Sequence, residues 1–113
     1  MKVDVCTQAG WDIISITGPM LMTSMANTPQ IFEKLANKEG ARVALHLGNT
    51  PAMDSGALAA LIHLRKQVDE HGGEVVVVAP SEEVRVLFGI VGFEDGLAVF
   101  DTWREFERRM LRS

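Results

Sequence analysis

Four consecutive valines, Val75-Val76-Val77-Val78, flanked by Glu74 and Ala79, constrain the fold of this chain more than any other stretch. β-Branched side chains favour extended backbone, and a run without alternation has no polar face to turn toward water. Such a strand must be buried on both sides. That requirement predicts a central strand in a largely parallel sheet covered by helices, which is an α/β fold.

The rest of the chain agrees. Val3-Asp4-Val5-Cys6 and Trp11-Asp12-Ile13-Ile14-Ser15-Ile16-Thr17 read as two strands of a hairpin, separated by Gln8-Ala9-Gly10, and Gly18-Pro19 ends the second. Thr28-Pro29 opens a helix that buries Ile31, Phe32 and Leu35 and is closed by Gly40. Arg42 to Leu47 is a strand with Val43, Leu45 and Leu47 on one face. A helix then runs from Ser55 to about Glu70 and stops at His71-Gly72-Gly73. Ser81-Glu82-Glu83 caps another helix, in which Val84, Leu87, Phe88 and Val91 form the apolar stripe. Leu97 to Phe100 is the last strand. Thr102-Trp103-Arg104-Glu105 is a capping box for a terminal helix that buries Trp103, Phe106 and Met110. The order β-β-α-β-α-β-α-β-α predicts one domain over residues 1–113, with a mostly parallel sheet, an N-terminal hairpin and four helices.

Composition narrows the function classes. With 47% hydrophobic and 23% charged residues the chain is expected to fold as a soluble globule. No apolar run approaches the roughly 18 residues that span a bilayer, so no membrane partner is expected. The opening Met1-Lys2-Val3-Asp4-Val5 lacks the apolar block of a signal peptide, and the single cysteine, Cys6, has no internal disulfide partner. Both point to a reducing cytoplasm. A formal charge of −4 without a basic patch argues against direct nucleic acid binding. The one basic cluster, Arg104, Arg108, Arg109 and Arg112, falls on the last helix, where cations complement the C-terminal dipole and read as a solvated face.

Ligand and partner sites in parallel sheets collect at the carboxyl ends of the strands. Two loops meet that description here, Pro19 to Asn27 and Gly48 to Asp54. They leave neighbouring strands at the same edge, so the Met20/Met22/Met25 segment is expected beside Ser55. Methionine-rich loops suit adaptable partner surfaces, although gap-filling in a core is the commoner use of the residue. Ser55 itself stands where a helix begins, and the first amides of a helix favour an added anion. It is a candidate phosphorylation site. The alternative is that Asp54 or Ser55 only caps the helix.

At 100° per residue, Ala57, Leu61, Leu64 and Val68 fall on one side of the helix and form its core stripe, whereas Ala59, Ile62 and Lys66 fall within about 40° of Ser55 on the opposite side. An apolar Ile62 and Ala59 in line with a switchable serine form a candidate docking face for a protein.

Enzymatic readings fare less well. Ser55, Asp54, His46 and His63 include the residue types of a hydrolase triad, but Met53-Asp54-Ser55-Gly56-Ala57 lacks the G-x-S-x-G elbow. His63 lies two turns along the helix and His46 within a strand, so no base is fixed to the serine. The sequence has no P-loop, no dinucleotide fingerprint and no metal-ligand spacing, so no catalytic residue, cofactor or metal is assigned. Asp54 could mimic the phospho-acceptor of a response-regulator receiver, yet Cys6-Thr7 and Asp101-Thr102 stand where a receiver has its acidic pair and its lysine.

With those residues in view, the chain resembles the STAS family, and within it the stand-alone bacterial anti-sigma factor antagonists. The resemblance rests on Val43-Ala44-Leu45-His46-Leu47 leading through Met53-Asp54-Ser55 to Leu58, on Gly72-Gly73 before the valine strand, and on Phe88-Gly89-Ile90-Val91-Gly92-Phe93 before Val99-Phe100-Asp101. It implies partner switching. The unphosphorylated protein would bind an anti-sigma factor that is also a serine kinase and so free sigma; phosphorylation of Ser55 would release it, and a PP2C-type phosphatase would reset it. Together with the helical-wheel face and the adjoining loop, the candidate partner face comprises Asp54, Ser55, Gly56, Ala59, Ile62 and Lys66 with Met20 and Met22. Two features depart from the family pattern. Gly56 comes one place earlier than the usual glycine, and Gly18-Pro19-Met20-Leu21-Met22 lacks an acidic residue common there. They leave open a non-switching STAS subunit of a transporter or stress-sensor assembly, with a small serine hydrolase as a third reading.

Overall fold

The computed structural model describes residues 1–111. Strand β1 (Lys2–Gln8) pairs antiparallel with β2 (Trp11–Thr17), in register from Lys2 opposite Thr17 to Gln8 opposite Trp11. The register leaves a two-residue turn, Ala9-Gly10, with positive φ at both positions, 52° and 83°. Such a turn matches the right-handed twist of the strands it joins. β1 extends past the predicted Val3–Cys6 because main-chain pairing with β2 carries polar Lys2, Thr7 and Gln8 along with it.

The chain continues through α1 (Thr28–Ala36), β3 (Arg42–Asn49), α2 (Ser55–Glu70), β4 (Glu74–Val78), α3 (Glu82–Val91), β5 (Ala98–Phe100) and α4 (Trp103–Phe106), which widens into a π-type turn over Glu107–Leu111. The strands lie in the order β1-β2-β3-β4-β5, and β2 through β5 are parallel. Because this order never reverses, every crossover returns over the same face. Helices α1, α2 and α3 therefore share one side of the sheet, and α4 covers the other.

The valine strand divides as its sequence demands. Val75 and Val77 pack into the larger cluster with Leu45, Leu61, Leu64, Val84 and Phe88. Val76 and Val78 point the opposite way, to Trp11, Ile13, Phe100 and Phe106. At the turn entering this strand, any Cβ on Gly73 would collide with the Ala41 carbonyl, so glycine there lets the α2–β4 and α1–β3 connections pack together.

Three helical details differ from expectation. Val91, assigned to the apolar stripe of α3, is 46% exposed; it is the last residue of the helix, directly before the left-handed Gly92 cap. Only half of the capping box forms: the Thr102 hydroxyl accepts from the Glu105 amide at 3.1 Å, while the Glu105 carboxylate pairs with Arg109. In the terminal helix Phe106 is fully buried, and Trp103 and Met110 are only partly so. Arg104, Arg108 and Arg109 are exposed, and Arg112 lies outside the described residues. No helix among the described residues is long and apolar enough to cross a membrane.

Candidate functional site

The two loops at the carboxyl edge meet as main chain. Gly18 donates its amide to Asn49 O at 2.9 Å, Met20 donates to Ala52 O at 2.8 Å, and Asp54 donates back to Met20 O at 3.1 Å. Met20 and Met53 thus form an isolated parallel bridge that prolongs the β2–β3 pairing beyond the strands. Between them the pairing register shifts after Ser15. The Thr50 hydroxyl donates to the Ile16 carbonyl at this irregularity, at 2.9 Å, and Thr50 is fully buried. Ser81 ties the same loop to α3: its hydroxyl donates to Thr50 O and accepts from the Val84 amide, which makes it the N-cap. Thr50 as a rivet was missed from sequence, although a threonine ending an apolar strand is the available signal.

Asp54 is the N-cap of α2. One carboxylate oxygen accepts from the Ala57 amide at 2.9 Å, and the other accepts from the Met22 amide at 3.0 Å. These bonds, Ala57's first and Met22's second, hold the carboxyl below the usual carboxylate range against a smaller opposing effect of desolvation. The cap is therefore Asp54 and not Ser55. Ser55 occupies the first helical position with its side chain exposed, at the positive end of a helix that runs to Glu70. Of the three hydroxyls Thr50, Ser55 and Ser81, only that of Ser55 belongs to an exposed residue.

Ala57, Leu61, Leu64 and Val68 are buried, while Ser55, Ala59, Ile62 and Lys66 are exposed, with Ile62 at 47%. Above them the chain makes a single 3₁₀ turn, Met22–Ser24, that no sequence pattern foretold. Met22 is 67% exposed and lies against α2 where Gly56 has no side chain; a Cβ at Gly56 would stand 2.9 Å from the Met22 sulfur. The early glycine thus makes room for this loop. Met20 is a correction: its side chain is fully buried in the main cluster, so it offers no contact to a partner, and Met25 is buried as well. The main-chain bridge turns Met20 inward and leaves Met22 outward.

The residue types of a hydrolase are not assembled. Both carboxylate oxygens of Asp54 accept from main-chain amides. His46 sits on the α4 side of the sheet, 3.4 Å from the Ser15 hydroxyl and against the Trp103 ring, and His63 is exposed on α2. Among the described residues no group of three or more His, Cys, Asp or Glu side chains could hold a metal ion.

Burial pushes the His46 pKa below its ordinary value. The unfolded chain then binds a proton more readily than the folded one, so this contribution to stability is present above about pH 6.5 and is lost as the pH falls through the lowered value. Thermal melts from pH 7.5 to pH 5 should show this loss. His46→Gln should flatten that part of the profile, and an unchanged slope would remove His46 as its source.

Geometry and sequence agree on the class. The sequence matches the STAS domain family over residues 2–106, and the chain belongs to that family. It is 27% identical over 75 residues to a Thermotoga neapolitana protein described as an anti-sigma factor antagonist homologue, a match spanning 66% of each chain. The chain thus spans about two thirds of the length of this curated relative. The crystal structure of a Thermotoga maritima protein of the same description superimposes with a TM-score of 0.83 at 18% identity, covering 97% of this chain and 95% of that one. The anti-sigma factor antagonist SpoIIAA, in its unphosphorylated form, superimposes with a TM-score of 0.76 at 14% identity over 99% of both chains. At these identities the superpositions establish a shared fold, a single α/β STAS domain with an N-terminal hairpin, a mostly parallel sheet and four helices.

Proposed function

We propose that the protein is an anti-sigma factor antagonist that acts by partner switching, with Ser55 as the switch. In the unmodified state the exposed Ser55, Ala59, Ile62 and Lys66 face, edged by Asp54, Gly56 and Met22, docks on an anti-sigma factor that is also a serine kinase. Transfer of a phosphoryl group to Ser55 adds about −1.5 to −2 charges next to the Asp54 carboxylate, and repulsion and desolvation at the interface release the complex. A PP2C-type phosphatase restores the docking form. The observation that carries this reading is the division of labour at the start of α2: Asp54 takes the cap, and the neighbouring hydroxyl is left exposed in line with an apolar stripe.

The domain itself tolerates the modification. A phosphate at the first helical position meets the positive end of α2, worth at most about 1–2 kcal/mol in its favour, so the fold persists while the complex dissociates. Incubated with its cognate kinase and ATP, the protein gains one phosphate on Ser55, and Ser55→Ala gains none. Mass spectrometry that places the phosphate on Thr50 or Ser81 would refute the assignment.

A further inference from the structure

The outer face of α3 is apolar without being covered. Val86 is 59% exposed and Ile90 77%, on one side of the helix, and Val91 adds its 46% at the C-terminal end. Gly89 lies between them in the helix interior, where glycine is unfavourable relative to alanine. Nothing in the fold asks for it: a Cβ there would meet no atom within 4 Å. The patch is therefore an apolar strip with a notch in which another backbone can come close.

Its rim is acidic. Glu82 and Glu83 are exposed on the first turn of the same face, and Asp95 is exposed just beyond the last. The adjoining arginines are engaged, Arg85 with the Asp101 carboxylate and Arg65 with the carbonyls of Phe93 and Asp95. A second copy of this chain would set these acids against each other in either orientation. The strip is also about one helix wide, whereas a stable globular contact buries roughly 800 Å² on each side.

We infer that α3 is a second docking site, for a basic amphipathic helix of another protein whose apolar stripe lies over Val86, Gly89 and Ile90. The inference is independent of the switch, because α3 carries none of the residues of the Ser55 face.

A Leu/Lys amphipathic peptide of about 18 residues, five helical turns, is a suitable probe, with a Leu/Glu peptide of the same pattern as its control. In amide-resolved NMR titrations the Leu/Lys peptide should shift residues 82–95 most, and the Leu/Glu peptide should not bind. Ile90→Glu makes the surface more acidic, so purely electrostatic attraction would strengthen; the inference requires that affinity fall at least roughly tenfold, about 1.4 kcal/mol. Gly89→Ala should raise the melting temperature by a few degrees yet weaken the peptide, a pair of effects that a structural role for the glycine would not give. Shifts spread over other acidic surfaces, binding unchanged in Ile90→Glu, or sedimentation showing a dimer built through α3 would each overturn it.

Discussion

Ser55→Asp should weaken binding of the proposed anti-sigma partner by about 30- to 1,000-fold, because a like charge placed at an interface costs several kcal/mol and each 1.4 kcal/mol is a factor of ten. The new carboxylate sits beside Asp54, whose own pKa is lowered by the amides of Ala57 and Met22 and which stays ionised at neutral pH. Two negative groups then face the partner where there was one. Ser55→Ala should bind as well as the wild type and should fail to release when ATP is supplied. Isothermal titration with the partner, with and without ATP, measures both. A serine hydrolase would behave differently, losing turnover equally in the two variants, and an ester hydrolysis abolished by Ser55→Ala would overturn partner switching. Equal affinities for wild type, Ser55→Asp and Ser55→Ala would favour a constitutive subunit instead.

Leu61→Ala and Ile62→Glu, neighbours in sequence, should have opposite consequences. Leu61 is fully buried among α2, the sheet and α3, so truncation opens a core cavity and costs roughly 2–5 kcal/mol. That is a large part of the total stability of a domain of this size. The fraction that remains folded should still bind. Ile62→Glu changes an exposed side chain and should alter stability by no more than about 0.5 kcal/mol, while placing a charge in the proposed docking face and impairing it. Thermal melts combined with a partner titration separate the two. A silent Leu61→Ala or an unfolding Ile62→Glu would contradict the placement of α2, and a binding-competent Ile62→Glu would remove the face.

Some of this architecture can be read from the amino acids because each feature has a short-range cause. The valine run cannot be amphipathic, so it announces a strand covered on both sides. The burial of Leu61 and exposure of Ile62 follow from 3.6-residue periodicity alone. What escaped depends on neighbours that periodicity does not register. Val91 has the right spacing for a core residue and is exposed at the last position of α3, where the helix gives way to the Gly92 cap. Met20 and Met22 are chemically alike, and only the main-chain bridge to Met53 decides which of them turns inward. Thr50 is buried because a register shift in a neighbouring strand leaves a carbonyl for its hydroxyl to meet.

The bridge between the two loops also bears on the dynamics of the site. Met20, Met22 and Asp54 each have their amide protons engaged across the loop pair, and the Asp54 carboxylate holds amides from both sides of it. Opening one loop therefore means opening the other, and the segment, irregular as it looks, should show slow amide hydrogen exchange as one cooperative unit with the end of the sheet. The main chain of both loops is already tied down in the free protein. The proposed docking edge is thus preorganised, and less of the interaction energy would be consumed in immobilising it when a partner arrives.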